Sequence, residues 1–489
     1  MSHPSAPYRI TMKFGGTSVG SVEAIARVVD IVRQTLENTL HSTKDAPARQ
    51  VTVVVSAMSG VTNTLIGAAR AALQGERDRV SEAMQTLVQR HMDTIDALVT
   101  DQSERRTLEN RVDALLNHAH SLCRAVGVLG ELTPRGLDVI SGLGERISAP
   151  IVAAALRAQG IAAEAIEASE LIVTDDNFGS ANPLMEQTKA RVQERLTPML
   201  EQGVVPIITG FIGATEEGSL TTLGRGGSDY SAAIVGAGLE SNEIWIWSDV
   251  DGVMTTDPRV VPEAQTIGAL SYTEAAEFSY FGAKVIHPKT ILPAVEREIP
   301  LRILNSFNPP HPGTRIVAQP PSNGRVVKGI TAIRQVSEVT VEGRGMMGIP
   351  GIAARVFTAV AEEQVNVLMI SQSSSEQSIC FVIPVDAAQR TIQALNRAFE
   401  YDMMRHNIER IWSKDDVAIM AVVGEKMKGV VGIASRLFGA LSESQINILT
   451  IAQGSSEHNI SLVIEGEDAD RAIRAVHEVF ELGSKPEHG

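Results

Sequence analysis

The sequence predicts an α/β protein in which a mainly parallel central sheet is sandwiched by helices and followed by a pair of small, similar modules. Three observations carry that reading. Short apolar segments alternate with helix-period segments from Tyr8 to Leu304, the pattern of strands joined by crossover helices. Val51 to Val55 is an unbroken β-branched run, as in a strand covered on both faces. Finally, the stretch that starts at Met346 recurs, without a gap, from Met427.

Taken in order, Tyr8 to Phe14 reads as a strand broken by Gly15-Gly16, and Val22 to Leu36 carries apolar residues at helical spacing. After the Val51 to Val55 strand come Ser56, Ser59, Gly60 and Asn63, and then another helix. Met84, Leu87, Val88, His91, Ile95 and Leu98 form one helical stripe, and Leu108, Val112, Leu115 and Leu116 a second, so residues 65–125 read as a helical excursion. His91, on the apolar stripe, reads as a core or boundary histidine. Ile151 to Ala155 fits a strand or a helix equally; Val204 to Ile208, Ile244 to Trp247 and Leu301 to Leu304 read as strands. Prolines cluster from Pro309 to Pro321, which places a stiff linker at 309–325. Beyond it each copy of the repeat reads strand, glycine turn, helix, strand, polar turn, strand. Two copies are too few for a solenoid, so a packed pair of modules is expected.

Composition narrows the function. The chain has 489 residues, enough for roughly three domains. With 58 acidic and 43 basic side chains its net charge is −15, which argues against a nucleic-acid partner. Apolar residues at 44% and charged residues at 21% are globular values. No membrane-length apolar run and no apolar signal core are evident, so a cytoplasmic protein is expected. Cys123 and Cys380 are expected to be buried, reduced thiols, and cannot build a zinc site alone.

Ligands in such sheets collect beyond the carboxyl ends of the strands, so the turns there are the candidates for chemistry. Lys13-Phe14-Gly15-Gly16-Thr17-Ser18 puts glycines at a strand-to-helix turn, where N–H groups can approach phosphate; it is not a P-loop, and a plain turn remains open. Gly224-Arg225-Gly226-Gly227-Ser228-Asp229 holds an arginine among glycines, suited to bidentate capture of a carboxylate or phosphate. The plainer alternative is a helix capped by Ser228 or Asp229. Ser248-Asp249 through Thr256-Asp257-Pro258-Arg259 follows a strand and could clasp a nucleotide or be a solvated turn. Phe281-Gly282-Ala283-Lys284 sets a lysine among small and apolar neighbours.

As an ordered set, Lys13 to Val19, Gly144-Glu145, Gly224 to Asp229, Thr255 to Arg259 and Phe281 to Pro288 resemble aspartate kinases, and the C-terminal repeat resembles their paired ACT regulatory modules. The resemblance implies the amino-acid-kinase fold over 8–308 and ferredoxin-like ACT modules over 326–405 and 406–482. It implies transfer of the ATP γ-phosphoryl group to the β-carboxylate of L-aspartate, giving 4-phospho-L-aspartate, the first step of lysine, threonine and methionine biosynthesis. Lys13, Asp229 and Lys284 would be catalytic; Ser56, Thr62, Glu145, Arg225 and Ser228 would bind substrate. Lys13, Gly15, Gly16, Ser248, Asp249, Met254, Thr256, Asp257, Arg259, Lys284 and Val285 would line the nucleotide site. Mg²⁺ would arrive on the phosphates, with no metal site of the chain's own.

Regulation by an amino acid is implied through Asn366, Gln372, Asn447 and Gln453. Leu368 stands where some lysine-inhibited relatives carry an acidic residue, so threonine is expected over lysine as effector. A homo-oligomer through the ACT modules is expected. The pattern is also similar to the kinase half of bifunctional aspartokinase–homoserine dehydrogenases; no dinucleotide fingerprint follows the second module, so dehydrogenase activity is not expected of this chain. The alternatives are another amino-acid kinase, of glutamate type, and a non-catalytic amino-acid sensor.

Overall fold

A computed structural model describes residues 7–41, 47–282, 286–321, 325–373, 377–425, 427, 430–452 and 458–484. The chain divides into two units: the first holds residues 1–253, 268–272 and 285–320, the second 254–267, 273–284 and 321–489.

In chain order the elements of the first unit begin β1 (Tyr8–Phe14), α1 (Val22–Leu36), β2 (Arg49–Val55), α2 (Val61–Leu73), α3 (Arg77–Leu98), α4 (Gln102–Leu129), α5 (Pro134–Ser141) and α6 (Leu143–Ala158). They continue β3 (Ala163–Ile166), α7 (Met185–Glu201), β4 (Val205–Thr209), β5 (Ile212–Ala214), β6 (Leu220–Thr222), α8 (Gly227–Gly238), β7 (Glu243–Ser248) and β8 (Ala269–Ser271). After α9 (Tyr272–Tyr280), which from Thr273 onward belongs to the second unit, come α10 (Leu292–Val295), β9 (Leu301–Asn305) and β10 (Thr314–Val317) of the first. The main sheet runs β3-β4-β2-β1-β7-β9-β10-β8, parallel except where β9 meets β10. Val51, Val53, Val54 and Val55 are all buried, as a strand between helical layers requires. Ser21, Asp101 and Thr133 cap α1, α4 and α5 through their side chains.

The excursion at 65–125 is formed by the three helices α2, α3 and α4, and His91 is fully buried with Nδ1 on the Leu87 carbonyl. Ile151–Ala155 is helix, in the middle of α6; this helix is buried along nearly its whole length, so it lacks the polar stripe that would mark its period. One helical stretch, 134–158, is long and apolar enough to cross a membrane, although no such run was expected, and 89% of its apolar window is buried inside the fold.

The second unit continues with β11 (Val327–Glu342), α11 (Ile352–Glu362), β12 (Met369–Gln372), β13 (Ser378–Pro384), α12 (Ala388–Ala398), α13 (Glu400–Met404) and β14 (Arg410–Gly424). It ends α14 (Ile433–Glu443), β15 (Thr450–Ala452), β16 (Asn459–Glu465) and α15 (Ala469–Val479). The repeat is exact at element level: α11, β12, β13 and α12 each begin 81 residues before α14, β15, β16 and α15. All strands join one sheet, β12-β13-β11-β14-β16-β15.

Two expected boundaries are corrected. The modules are not consecutive blocks split at 405/406, because they exchange strands. Val327 and Ile330, at the start of β11, pack in the core of the second module, whereas Ile408 and Ile411 pack in that of the first. Nor does the C-terminal unit begin at the prolines. Segment 254–267 is tied to it by Ile330 N–H donating to the Thr255 carbonyl (2.7 Å), and α9 by the buried Lys328–Glu274 pair (2.8 Å). Cys380 is half-buried rather than buried, and its thiol accepts from Thr340 Oγ1. Cys123 is buried, which pushes its thiol up to about 11.

Candidate active site

At the carboxyl ends of β1 and β2 two turns are laced together. Ser56 N–H donates to the Phe14 carbonyl and Ser59 N–H to that of Gly16, both at 3.1 Å. Lys13, one residue from the end of β1, places Nζ 2.6 Å from Asp229 Oδ1, with the two side chains only 12% and 16% exposed. A Cβ on Gly15 would stand 3.3 Å from Lys13 Nζ, and one on Gly16 3.1 Å from the Ala57 carbonyl. The glycine pair thus admits the ammonium and the neighbouring turn at close range.

Asp229 lies in the first turn of α8. The N-cap there is Gly226 (φ +70°) and no side chain caps the helix, so the capping reading of Ser228 or Asp229 is corrected. Asp229 instead faces Lys13. Gly224 (φ +77°) and Gly226 adopt left-handed backbone, which turns Arg225 outward. Its guanidinium is exposed and has no carboxylate partner among the described residues.

The arginine loop rests on a residue absent from the sequence reading. Asp138, on α5 and buried, accepts from Thr222 N–H (3.0 Å), Thr222 Oγ1 (2.7 Å) and Gly179 N–H (2.9 Å). It pins the end of β6, two residues before Gly224. No local signal marks it, because an aspartate within a short amphipathic helix reads as a solvated face. Phe211, at φ +69°, also lines the cleft and was not foreseen.

Glu145 opens the buried helix α6 and is 3% exposed. A Cβ on Gly144 would lie 2.6 Å from that of Ala57, so glycine is needed where α6 meets the substrate turn. Burial pushes the Glu145 carboxyl up to about 8, against smaller opposing effects of backbone N–H groups. Its Oε2 has no hydrogen-bond partner. A buried acid with an open oxygen is suited to receive a cation.

A cleft of about 540 Å³ gathers these groups: Lys13, Gly16, Ser56, Thr62, Glu145, Arg225, Ser228, Asp229 and Asp249 all line it. Gly15 and Ser248 belong to the same turns but not to its lining. Met254, Thr256, Asp257 and Arg259 lie in the second unit. There Asp257 pairs with Arg259 at 2.7 Å, and that guanidinium holds its carboxyl below the usual carboxylate range. Thr256 is buried with an unpartnered hydroxyl. Lys284 and Val285 lie outside the described residues. Among the described residues no three acidic, histidine or cysteine side chains converge as a metal cage would.

In the first module a cavity of about 270 Å³ is lined by Met346, Gly348 to Ala353, Gln372 and Ile379. The Gly351 N-cap of α11 has no side-chain cap, so helix N–H groups open toward it. Gln372 is on this cavity, whereas Asn366 is exposed and away from its lining. Leu368, half-buried, is not on it either. Asn447 is exposed, and Gln453 lies outside the described residues.

A cation–carboxylate pair at a glycine turn, an exposed arginine and a buried acid thus share one cleft of the α/β sheet. Residues 9–305 match the amino acid kinase family model and residues 339–399 and 420–480 the ACT domain model, so the chain belongs to the amino acid kinase family. Within that family it stands with the aspartokinases. It is 32% identical to aspartokinase 2, chloroplastic, of Arabidopsis thaliana over 96% of this chain and 84% of that one. It is 38% identical to the bifunctional aspartokinase/homoserine dehydrogenase 1 of the same plant, over 96% of this chain and 51% of the relative. The chain thus spans about half the length of the bifunctional relatives it matches. The crystal structure of E. coli aspartokinase III in complex with aspartate and ADP superposes with TM-score 0.79 at 29% identity, covering 96% of this chain and 99% of that one.

Proposed function

We propose that the protein transfers the γ-phosphoryl group of ATP to the β-carboxylate of L-aspartate. The observation that supports this most directly is the meeting of Lys13, Asp229, Arg225 and Glu145 in one cleft. Aspartate carries two negative groups and one positive; Arg225 offers the cation for a carboxylate and Glu145 the anion for the α-ammonium. Ser56, Thr62 and Ser228 supply hydroxyls around them. The nucleophile, with an ordinary pKa near 3.9, is ionised at neutral pH and needs no base. The barrier is the approach of a carboxylate to a polyanion, so catalysis is positioning and charge stabilisation. Lys13 stabilises charge on the transferring group and Asp229 orients it. Gly15 and Gly16 let backbone N–H groups reach the phosphates; Ser248 and Asp249 are assigned to the nucleotide, and Met254, Thr256, Asp257, Arg259, Lys284 and Val285 are assigned to it on the family resemblance alone. Mg²⁺ carried on the phosphates would neutralise part of their charge.

We further assign the first-module cavity to an amino-acid effector, threonine before lysine. None of its described lining residues is acidic, so a second ammonium would go unpaired, whereas helix N–H groups suit the carboxylate and Gln372 the hydroxyl or ammonium. Ile370 and Ile451, 51% and 44% exposed on the terminal strands of the sheet, favour a homo-oligomer formed through these modules. The acidic composition and two unpaired thiols fit the cytoplasm. A coupled assay with ATP and, separately, aspartate, glutamate and UMP tests the activity. Turnover with aspartate is expected, and turnover with glutamate alone would overturn the assignment.

A further inference from the structure

The helical excursion makes one contact with the active-site turns that its amphipathic pattern does not require. Arg90, on α3, donates from Nη1 to the Ser59 carbonyl (2.6 Å) and from Nη2 to the Gly20 carbonyl (2.8 Å). Ser59 ends the substrate turn after β2; Gly20 ends the glycine turn after β1, directly before the Ser21 cap of α1. The guanidinium has no carboxylate partner among the described residues, so its fork is committed to these two carbonyls. The turns are also in steric contact, since a Cβ on Gly20 would lie 3.2 Å from that of Ser59. The residue after Arg90 fixes α3 in the core, because His91 is fully buried with Leu87 and Ile95.

We propose that Arg90 is a positioning residue: it holds the phosphate-side turn 15–20 and the substrate turn 56–60 at a fixed separation, so that the groups beside Lys13 and beside Thr62 face each other in register. The proposal rests on the phosphotransferase reading, in which the two turns carry opposite reactants. A planar fork can bridge two carbonyls at once, whereas a lysine ammonium on a flexible stem holds the pair less rigidly. A misplacement of about 1 Å at such a site can cost on the order of 10²-fold in rate.

The test uses R90M and R90K in the full chain, with backbone hydrogen exchange over 15–21 and 56–60 measured beside kinetics and thermal unfolding. In R90M, exchange is expected to quicken at both turns. Its kcat/KM for aspartate should fall roughly 10²-fold at temperatures where the protein is fully folded, and R90K should recover about half of that loss on a logarithmic scale. A purely structural arginine would lower the melting temperature and leave kcat/KM per folded molecule unchanged; that result overturns the proposal. Faster exchange at one turn only, or at neither, overturns it as well. If the wild-type chain fails to phosphorylate aspartate while both turns still respond to R90M, the activity reading falls and the clamp between the turns stands.

Discussion

Glu145 gives the sharpest quantitative consequence of the cleft. Its carboxyl is raised from 4.5 to about 8, chiefly because burial disfavours the charge. At pH 7 it is therefore about nine-tenths protonated, and ionising it costs about 1.4 kcal/mol, the value of one pH unit. An α-ammonium bound against Oε2 favours the carboxylate, so aspartate binding at pH 7 should release close to one proton. The dissociation constant for aspartate should fall about tenfold per unit between pH 6 and pH 7 and level off above pH 8. The same shift sets a sign for stability. Between about 4.5 and 8 the folded chain holds a proton that the unfolded chain has lost, so this group destabilises the unliganded fold progressively as pH rises through that window. Calorimetric titration of aspartate at pH 6, 7 and 8.5, in buffers of different ionisation enthalpy, measures both affinity and proton release. Glu145→Gln should bind more weakly and without the pH slope. A pH-independent dissociation constant with no proton release in the wild type would refute the placement of the ammonium at Glu145.

Three further outcomes follow from other parts of the molecule. Lys13→Met should lower kcat about 10³-fold while the KM for ATP stays within a few-fold, read from steady-state kinetics; equal losses in both would mean uniform binding rather than transition-state stabilisation. Gln372→Ala should weaken inhibition by threonine about tenfold without changing uninhibited turnover, and inhibition by lysine with indifference to threonine would contradict the effector assignment. Lys328→Met, which takes the ammonium away from the buried Glu274 carboxylate, should lower stability in denaturant unfolding by up to about 3–5 kcal/mol, and the double variant with Glu274→Leu should restore part of it; an unaffected single variant would deny that the pair is desolvated.

What could be read from the chain followed the reach of each signal. β1 and α1 have their observed bounds because a strand, a glycine turn and a 3.6-residue stripe are all local. The burial of α6 erased its period, and short strands such as β5 and β6 carry too few residues for any period to show. Strand exchange between the modules was invisible for another reason: β11 is one continuous strand, and only pairing and packing show that its two halves serve different cores. In the site, Lys13, Arg225 and Asp229 were legible because glycines announce where backbone comes close to a ligand. Asp138 and Arg90 were not, since each acts on backbone carbonyls or N–H groups far along the chain, and a hydrogen bond to backbone leaves no mark on the partner's residue type. The two classes have different physical tasks. On the proposed function the legible residues meet the ligands, so their chemistry follows the charge to be matched. The illegible ones fix distances between turns, a task that any polar side chain of suitable length can perform if the fold delivers it. In a chain of net charge −15 the matching charges are few, and their effect on a phosphoryl group depends steeply on separation. If Lys13 acts as proposed, the polar groups that hold the turns would contribute to the rate through the same Coulomb energy, at one remove.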